Sequence, residues 1–245
     1  MSTTQRPYVF CHMETSLDGK IMGRFWDVLD DLDQNPFQEV AFGPNRAWDL
    51  QGWISGRVTT DDNFTHYAAP NLPASHEPVP DGDYICDTGE DMYYVSVDPS
   101  GKLGWTEDRI HYAGMNPKVI EILTEKASNA YKAFLRSLHI PYLICGDTQV
   151  DFAQMLQKLA DDFGFTCVML GGGGVVNWSM IQSGLVDEIS LIVDPSADGS
   201  RTTQSVFLQA DGLSTTDPVR FHVKSVERVG TGGEQLWLRY TVDNG

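Results

Sequence analysis

The chain has 245 residues, of which 41% are hydrophobic, so it is long enough to bury a sizeable core. It carries 34 acidic and 17 basic side chains, a formal net charge of -17 at pH 7. A field of that sign repels phosphate groups, which argues against nucleic acid and anionic membranes as main partners.

Cysteine usage and the N-terminal stretch narrow the class of protein. The 4 cysteines are widely spaced and include no C-x-x-C pair, so we predict reduced thiols and neither a disulfide framework nor a zinc site. The first residues form no apolar signal region, and no run of about eighteen apolar residues occurs. We therefore expect a cytoplasmic protein.

The first third of the chain predicts two strands separated by a turn. Residues 8–14 (YVFCHME) indicate the first strand, residues 16–20 (SLDGK) a turn, and residues 52–56 (GWISG) the second strand. Residues 66–83 form a proline-rich loop that is too long for a compact connection. We expect that loop to be a flap or a surface excursion.

The middle of the chain alternates between strands and helices. We predict strands at residues 92–97, 118–123 and 141–145, and a helix at residues 128–138. The clearest helix spans residues 151–164, where Asp151 is the cap and Gly164 the stop.

The last third of the chain predicts strands at residues 165–170 and 188–193, a short helix at residues 176–184, and a closing antiparallel hairpin formed by residues 219–229 and 234–242. Strands that alternate with helices and finish antiparallel are typical of an α/β fold with a mixed sheet. We predict a single domain that spans residues 1–245.

Four consecutive glycines, Gly171, Gly172, Gly173 and Gly174, lie between a strand and a helix. Free N–H groups and the positive end of the helix dipole make such a turn suited to a pyrophosphate. A tight turn that needs a positive φ is the alternative. The sequence does not match a Walker motif, because valines follow the last glycine. It also differs from a dinucleotide-binding fingerprint at Val176, where a glycine or alanine is required. It does contain the acidic residue of that fingerprint, Asp194, about twenty residues further on.

A second turn suited to an anion follows residues 52–56. Gly56 and Arg57 end the strand, and Thr59 or Thr60 is predicted to cap a helix that begins at Asp61. An arginine beside a hydroxyl at a helix start suits the 2′-phosphate that distinguishes NADP from NAD. The alternative is an ordinary cap with a surface arginine.

Polar residues at the end of the first strand are candidates for proton transfer. His12, Glu14 and Ser16 share one face by alternation, either as a row facing a substrate or as a polar barrier. His12 and Glu14 also spell the H-x-E of zinc deaminases, but the partner P-C-x-x-C is absent, so we predict no metal. Asp18 is a candidate general acid or anchor, with an ordinary turn residue as the alternative.

The segments RPYVFCHMETSLDGKI, GWISGRVTTDDNF and GGGGVVNWSMIQSGLVDEISLIVDP resemble, in that order, the reductase domain of bacterial riboflavin-biosynthesis deaminase/reductase proteins (the RibD C-terminal domain) and the stand-alone pyrimidine reductases. The resemblance implies a dihydrofolate-reductase-like fold, a mixed sheet flanked by helices, NADPH as hydride donor, and a homodimer. It also implies a small-molecule substrate of the ribosylamino-pyrimidine type, reduced by hydride transfer to the ribosyl C1′.

The resemblance further implies roles for particular residues. The pyrophosphate would lie against Gly171 to Gly174 and Val175, and the adenosine end of the cofactor against Gly56, Arg57, Thr59 and Thr60. Ser16, Asp18 and Lys20 would be the catalytic residues beside the nicotinamide, and His12 and Glu14 would contact the substrate.

Three positions depart from the family pattern. Gly171 stands where an acid is usual, and His12 stands where a lysine is common. Residues 61–90, where an arginine normally holds the substrate phosphate, contain no Lys or Arg. Other hypotheses therefore remain open: reduction of a different carbonyl or imine on the same fold, nucleotide binding without turnover, or a conventional dinucleotide-fold dehydrogenase.

Overall fold

The computed structural model describes residues 6–29, 35–75 and 78–244. Nine strands lie within these residues: β1 (Tyr8–Thr15), β2 (Gly52–Gly56), β3 (Tyr93–Val97), β4 (Lys118–Leu123), β5 (Tyr142–Ile144), β6 (Cys167–Leu170), β7 (Glu188–Val193), β8 (Phe221–Val229) and β9 (Gln235–Val242). Five α-helices lie within the same residues: α1 (Pro36–Phe42), α2 (Arg57–Thr60), α3 (Asn129–Ser137), α4 (Phe152–Phe163) and α5 (Gly174–Gln182). Each predicted strand is confirmed.

The chain divides into two compact units. The first contains Leu50–Val168 together with the residues before Tyr8, and the second contains Tyr8–Asp49 and Met169–Gly245. One of the three points at which the chain changes unit falls within β6. The single domain expected from the sequence stays a prediction.

The first unit contains four parallel strands in the order β2, β3, β4, β5. Every residue of β3 and β4 is buried. Parallel strands are normally covered on both faces, which is why these strands are almost continuously apolar in the sequence. Helices α2, α3 and α4 belong to the same unit.

The second unit mixes parallel and antiparallel pairing. Strand β1 is parallel to β7, whereas β9 is antiparallel to both β7 and β8. Strands β8 and β9 form the predicted C-terminal hairpin. The mixed sheet and the hairpin expected from the sequence are therefore confirmed.

Helix α4 begins and ends at the residues that local sequence signals predict. The side chain of Asp151 accepts a hydrogen bond from the N–H of Gln154, and Gly164 ends the helix in the left-handed conformation, with φ 70°. Both features are predicted from the sequence. The apolar stripe that includes Met155 and Leu159 is buried, so the helix packs through that face.

Two helix starts differ from the prediction. The helix expected from Asp61 begins at Arg57 and continues as a π-helical turn, Asp61–Thr65. Its N-cap is Gly56, so the prediction that Thr59 or Thr60 caps the helix is wrong. The second helix, expected from Val176, begins at Gly174, because helical hydrogen bonding extends into the glycines.

Helix α1 was not predicted, although the sequence contains a signal for it. The side chain of Asn35 accepts a hydrogen bond from the N–H of Gln38, and Pro36 occupies the first turn. An asparagine cap followed by proline is typical of a helix start. The described part of the predicted loop, residues 66–75 and 78–83, contains neither helix nor strand, and its residues 76 and 77 lie outside the description.

Among the helices that the structure describes, none is long and apolar enough to cross a membrane.

Candidate active site

The SLDGK turn follows β1 directly and is closed by its own hydrogen bonds. The N–H of Ser16 donates to the carbonyl of Lys20, and the N–H of Gly19 donates to the carbonyl of Ser16, both at 3.0 Å. Gly19 has a φ of 76°, which favours glycine. The turn therefore holds Ser16, Asp18 and Lys20 together in the second unit.

Ser16 holds the Asp18 carboxylate through a hydrogen bond. Its hydroxyl donates to Asp18 Oδ1 at 2.6 Å and accepts from the N–H of Lys20 at 2.9 Å. The hydrogen bond from Ser16 lowers the pKa of Asp18 below its ordinary value. Asp18 is thus ionised at neutral pH, which suits an anchor better than a proton donor.

A short segment, residues 204–208, joins this turn to the N-terminus of α5. The N–H of Ile21 donates to the carbonyl of Gln204 at 3.1 Å, and the N–H of Val206 donates to the carbonyl of Gly19 at 3.0 Å. The N–H of Leu208 donates to the carbonyl of Gly174 at 3.0 Å. The segment therefore connects the turn and the glycines within one unit.

The glycine turn ends in a helix start without a side-chain cap. Gly173 is the N-cap, with a φ of 79°, and no side chain caps the helix. The N–H of Asn177 donates to the carbonyl of Gly173 at 3.1 Å. The N–H groups of Gly174, Val175 and Val176 precede that bond, and such groups are available to an anion.

Two of the four glycines have structural reasons of their own. Gly173 needs a positive φ, and a Cβ at Gly174 would overlap the backbone oxygen of Ser205. Packing of segment 204–208 therefore explains Gly174. Close approach of a ligand to the backbone is the explanation that remains for Gly171 and Gly172.

We expect Gly174→Ala to lower the free energy of unfolding by about 1–3 kcal/mol, because the new methyl group forces the Ser205 carbonyl away. Urea denaturation measures the change. Gly89→Ala is the matched control, since a Cβ there meets nothing within 4 Å. Equal stability of Gly174→Ala and the wild type would contradict the close approach.

His12 is buried and fully bonded within the fold. Its Nε2 donates to the carbonyl of Phe37 at 3.0 Å, so its Nδ1 accepts from the hydroxyl of Ser190 at 2.8 Å. The ring stacks on that of Phe37 at 4.6 Å. Burial lowers the pKa of His12 to about 4, so the ring is neutral at physiological pH.

Glu14 differs in burial from its neighbours on β1. Its side chain is half-buried, whereas Met13 and Thr15 are buried. Burial, with a smaller contribution from the charge of Asp194, raises the pKa of Glu14 to about 8. Glu14 is therefore mostly protonated at pH 7.

Asp194 lies directly after β7, at the same end as Glu14. Its N–H donates to the carbonyl of Thr15 at 2.8 Å, and its Oδ1 accepts from the amide of Gln235 at 2.7 Å. Asp194 is fully buried, and its Oδ2 has no partner among the described residues. Burial raises the pKa of Asp194.

The first unit contains the Arg57 turn. Arg57 Nη1 lies 2.8 Å from Asp61 Oδ2, and 36% of the Arg57 side chain is exposed. Asp61 is buried and also accepts from the hydroxyl of Thr65 at 2.6 Å. The guanidinium is therefore oriented by Asp61 and accessible to a ligand.

The two threonines of this turn differ. Thr59 is half-buried. Thr60 is buried, and its hydroxyl contacts the carbonyl of Gly56 at 3.2 Å, the hydroxyl of Tyr94 at 2.8 Å and that of Ser96 at 3.2 Å. Thr60 therefore shapes the turn through buried contacts.

Asp194 and segment 204–208 contact the candidate site residues, although no sequence pattern predicts those contacts. Asp194 was noted only as the acid of a dinucleotide fingerprint, whereas its contacts join it to Gln235 and Thr15. Segment 204–208 has no periodic pattern to mark it. Both sets of contacts join residues that are far apart in the chain, so local sequence patterns do not predict them.

A model of the family described as the RibD C-terminal domain matches residues 101–233, more than half of the chain. The 2,5-diamino-6-ribosylamino-4(3H)-pyrimidinone 5′-phosphate reductase of Methanothermobacter thermautotrophicus is 32% identical over 136 residues, which are 54% of this chain and 60% of that protein. The match thus spans less than two thirds of that relative's length.

Two solved structures share the fold. RibD of Acinetobacter baumannii has a TM-score of 0.60 at 19% identity, with 97% of this chain and 58% of that one covered. A pyrimidine reductase-like protein of Corynebacterium diphtheriae has a TM-score of 0.65 at 14% identity, with 97% of this chain and 92% of that one covered. The predicted dihydrofolate-reductase-like fold, a mixed sheet with flanking helices, is confirmed.

Proposed function

Because the chain belongs to the RibD C-terminal domain family, we propose that it is an NADPH-dependent reductase that transfers hydride to the ribosyl C1′ of a ribosylamino-pyrimidine. The observation that carries this proposal is the uncapped start of α5, which segment 204–208 joins to the SLDGK turn. The proposed anion site and the polar side chains of the turn thus belong to one unit, which supports binding of a dinucleotide beside its substrate.

The residues present fit a dinucleotide pyrophosphate at the glycine turn. The backbone from Gly171 to Val175 has no side chain before Val175 to obstruct a ligand, and no side chain occupies the cap position of α5. We assign the pyrophosphate to this turn. The resemblance to the family is our reason for proposing Gly56, Arg57 and Thr59 as the residues that bind the adenosine end.

The bound nicotinamide supplies the hydride. The chain's own residues hold the substrate and orient it: the Asp18 carboxylate accepts hydrogen bonds from substrate hydroxyl groups, and Ser16 fixes the Asp18 rotamer. The Lys20 ammonium group provides the positive charge in a turn that is otherwise acidic. Alignment of donor and acceptor in one site lowers the barrier of such a reaction.

The substrate class follows from the relative's name, which describes a ribosylamino-pyrimidinone phosphate. The acidity of this chain favours a second candidate, an unphosphorylated carbonyl or imine, because residues 61–90 contain no Lys or Arg. Turnover of the ribosylamino-pyrimidine with and without its 5′-phosphate distinguishes the two. Binding of NADPH without hydride transfer to either compound would leave a nucleotide-binding protein.

Arg57→Ala tests the cofactor assignment. We expect the Kd of NADPH to rise about tenfold to a hundredfold, because a hydrogen bond between charged groups is worth about 1.5–3 kcal/mol. The Kd of NADH should stay the same, since NADH lacks the 2′-phosphate. Nucleotide fluorescence measures both constants.

Arg46→Ala is the matched control for this experiment. Arg46 Nη2 also pairs with a nearby aspartate, Asp49 Oδ1, at 2.6 Å. We expect that variant to bind both nucleotides as the wild type does. Equal losses of NADPH and NADH binding in Arg57→Ala would contradict the assignment.

The homodimer and the cytoplasmic location expected from the sequence stay predictions. Gel filtration with light scattering measures the first, and fractionation of cells measures the second.

A further inference from the structure

The reaction proposed above needs a proton as well as a hydride, and the polar face of the second unit offers several groups that could supply it. In the β1–β7 register, His12 lies opposite Ser190 and Glu14 opposite Ile192. Side chains of paired residues point to the same face of a sheet, and those at alternate positions share it. His12 and Glu14 therefore share one face, beside Asp194 at the strand end.

His12 cannot act as the donor in this arrangement. Its Nε2 proton is bonded to the carbonyl of Phe37, and its Nδ1 accepts from Ser190. Ser190 in turn accepts from the indole N–H of Trp237 at 2.7 Å. Both ring nitrogens of His12 are therefore hydrogen-bonded within the core, and neither is free to bind a substrate.

Asp18 and Asp194 are also unsuited to the task. Asp18 is ionised, because Ser16 donates to its carboxylate. Asp194 is fully buried, so it cannot reach a substrate. Its role is to act on Glu14 through its charge.

The carboxyl group of Glu14 is both protonated at neutral pH and partly accessible. Glu14 is half-buried on β1, less buried than its neighbours Met13 and Thr15, and lies two residues before the turn that begins at Ser16, a distance of about 6.6 Å along an extended strand. Burial and the charge of Asp194 keep its carboxyl group protonated at neutral pH. The groups that face it or lie nearest along the chain are His12, Asp194, Asp18 and Lys20, of which His12 is neutral.

We propose that the carboxyl group of Glu14 is the proton donor of the reduction. This inference rests on the proposed function. In the ring-opened substrate, which contains a C1′=N double bond, hydride from the reduced nicotinamide bonds to C1′ and the π electron pair moves to nitrogen. The nitrogen takes the Glu14 proton, the nicotinamide is left oxidised, and the Glu14 carboxylate regains a proton from water.

Glu14→Gln tests the donor role through the pH profile of NADPH oxidation with the ribosylamino-pyrimidine phosphate. The wild-type kcat/KM should fall tenfold per pH unit above about pH 8, where Glu14 loses its proton. Glu14→Gln should lose about a hundredfold or more in kcat and lack this alkaline decline. Glu14→Asp, which keeps a carboxyl group, should restore the decline.

A second readout does not depend on turnover. The carbon-13 resonance of the Glu14 carboxyl group, assigned as the signal missing from Glu14→Gln, should titrate with a midpoint near pH 8. Glu227→Gln is the matched control, because Glu227 is an exposed glutamate on β8 of the same unit. It should keep the wild-type kcat and pH profile.

The outcomes separate the two proposals. An active wild type with an equally active Glu14→Gln, or a Glu14 midpoint near the ordinary value of 4.5, overturns the donor role alone. A wild type that binds NADPH but reduces none of the substrates overturns the proposed function and the inference with it. A loss of kcat in Glu14→Gln with unchanged NADPH affinity supports both.

Discussion

Replacing Glu188 by glutamine is expected to lower the free energy of unfolding by about 3–5 kcal/mol, the cost of breaking a buried ion pair from one side. Glu188 is fully buried at the start of β7. Its Oε1 accepts from Arg239 at 2.5 Å, and its Oε2 accepts from Lys224 and Tyr8, both at 2.7 Å. One carboxylate thus joins strands β1, β7, β8 and β9.

The pH dependence of this contribution has a definite sign. Burial alone would raise the pKa of Glu188, but hydrogen bonds from Arg239, Lys224 and Tyr8 outweigh burial and hold the pKa below its ordinary value. A carboxylate of this kind stabilises the fold above its ordinary pKa, and the stabilisation is lost as the pH falls through the folded value. The difference between wild type and Glu188→Gln should therefore shrink in acid.

Urea denaturation at pH 7 and at pH 3 measures both effects. Glu227→Gln, on the exposed side of β8, should change the free energy of unfolding by less than about 0.5 kcal/mol. A Glu188→Gln variant as stable as this control would show that the buried cluster contributes no net stability. Because β1 carries Glu14, a loosened cluster should also reduce activity.

Replacing Glu121 by glutamine should have the opposite effect on the free energy of unfolding. It is fully buried in the first unit, where Trp105 Nε1 and the hydroxyl of Tyr131 donate to its Oε1, the latter at 3.3 Å. Its Oε2 has no partner among the described residues. Burial, with the charge of Asp98, raises the pKa of Glu121 well above its ordinary value.

We expect Glu121→Gln to raise the free energy of unfolding, increasingly so as the pH rises. The folded chain keeps a proton on Glu121 that the unfolded chain releases above pH 4.5, so the wild type loses about 1.4 kcal/mol per pH unit between that value and the folded pKa. Glutamine keeps the acceptor for Trp105 and Tyr131 and has no proton to lose. Below pH 4.5 the two proteins should converge.

Denaturant unfolding between pH 4 and pH 8.5 measures this slope. Glu125→Gln is the matched control, because Glu125 is exposed just after β4. A difference in stability between the two proteins that does not grow as the pH rises above 4.5 would contradict the raised pKa of Glu121.

The sequence by itself determined the strands and the clearest helices. Buried strands such as β3 and β4 are mostly apolar runs, and the cap of α4 at Asp151 is a local hydrogen bond between residues three apart. Part of the SLDGK turn is likewise local, because Gly19 and hydrogen bonds between residues up to four apart close it. Interactions over a few residues leave periodic or compositional signals that can be read without a structure.

Only the tertiary structure decided which polar residues are available for chemistry. His12 and Glu14 look equivalent in the sequence, yet Ser190, 178 residues away, engages His12, and Asp194 acts on Glu14. At Gly174, the need for glycine also comes from the Ser205 carbonyl, which a Cβ would overlap. Burial and charge at each position depend on contacts between distant segments, and such contacts leave no local pattern in the chain.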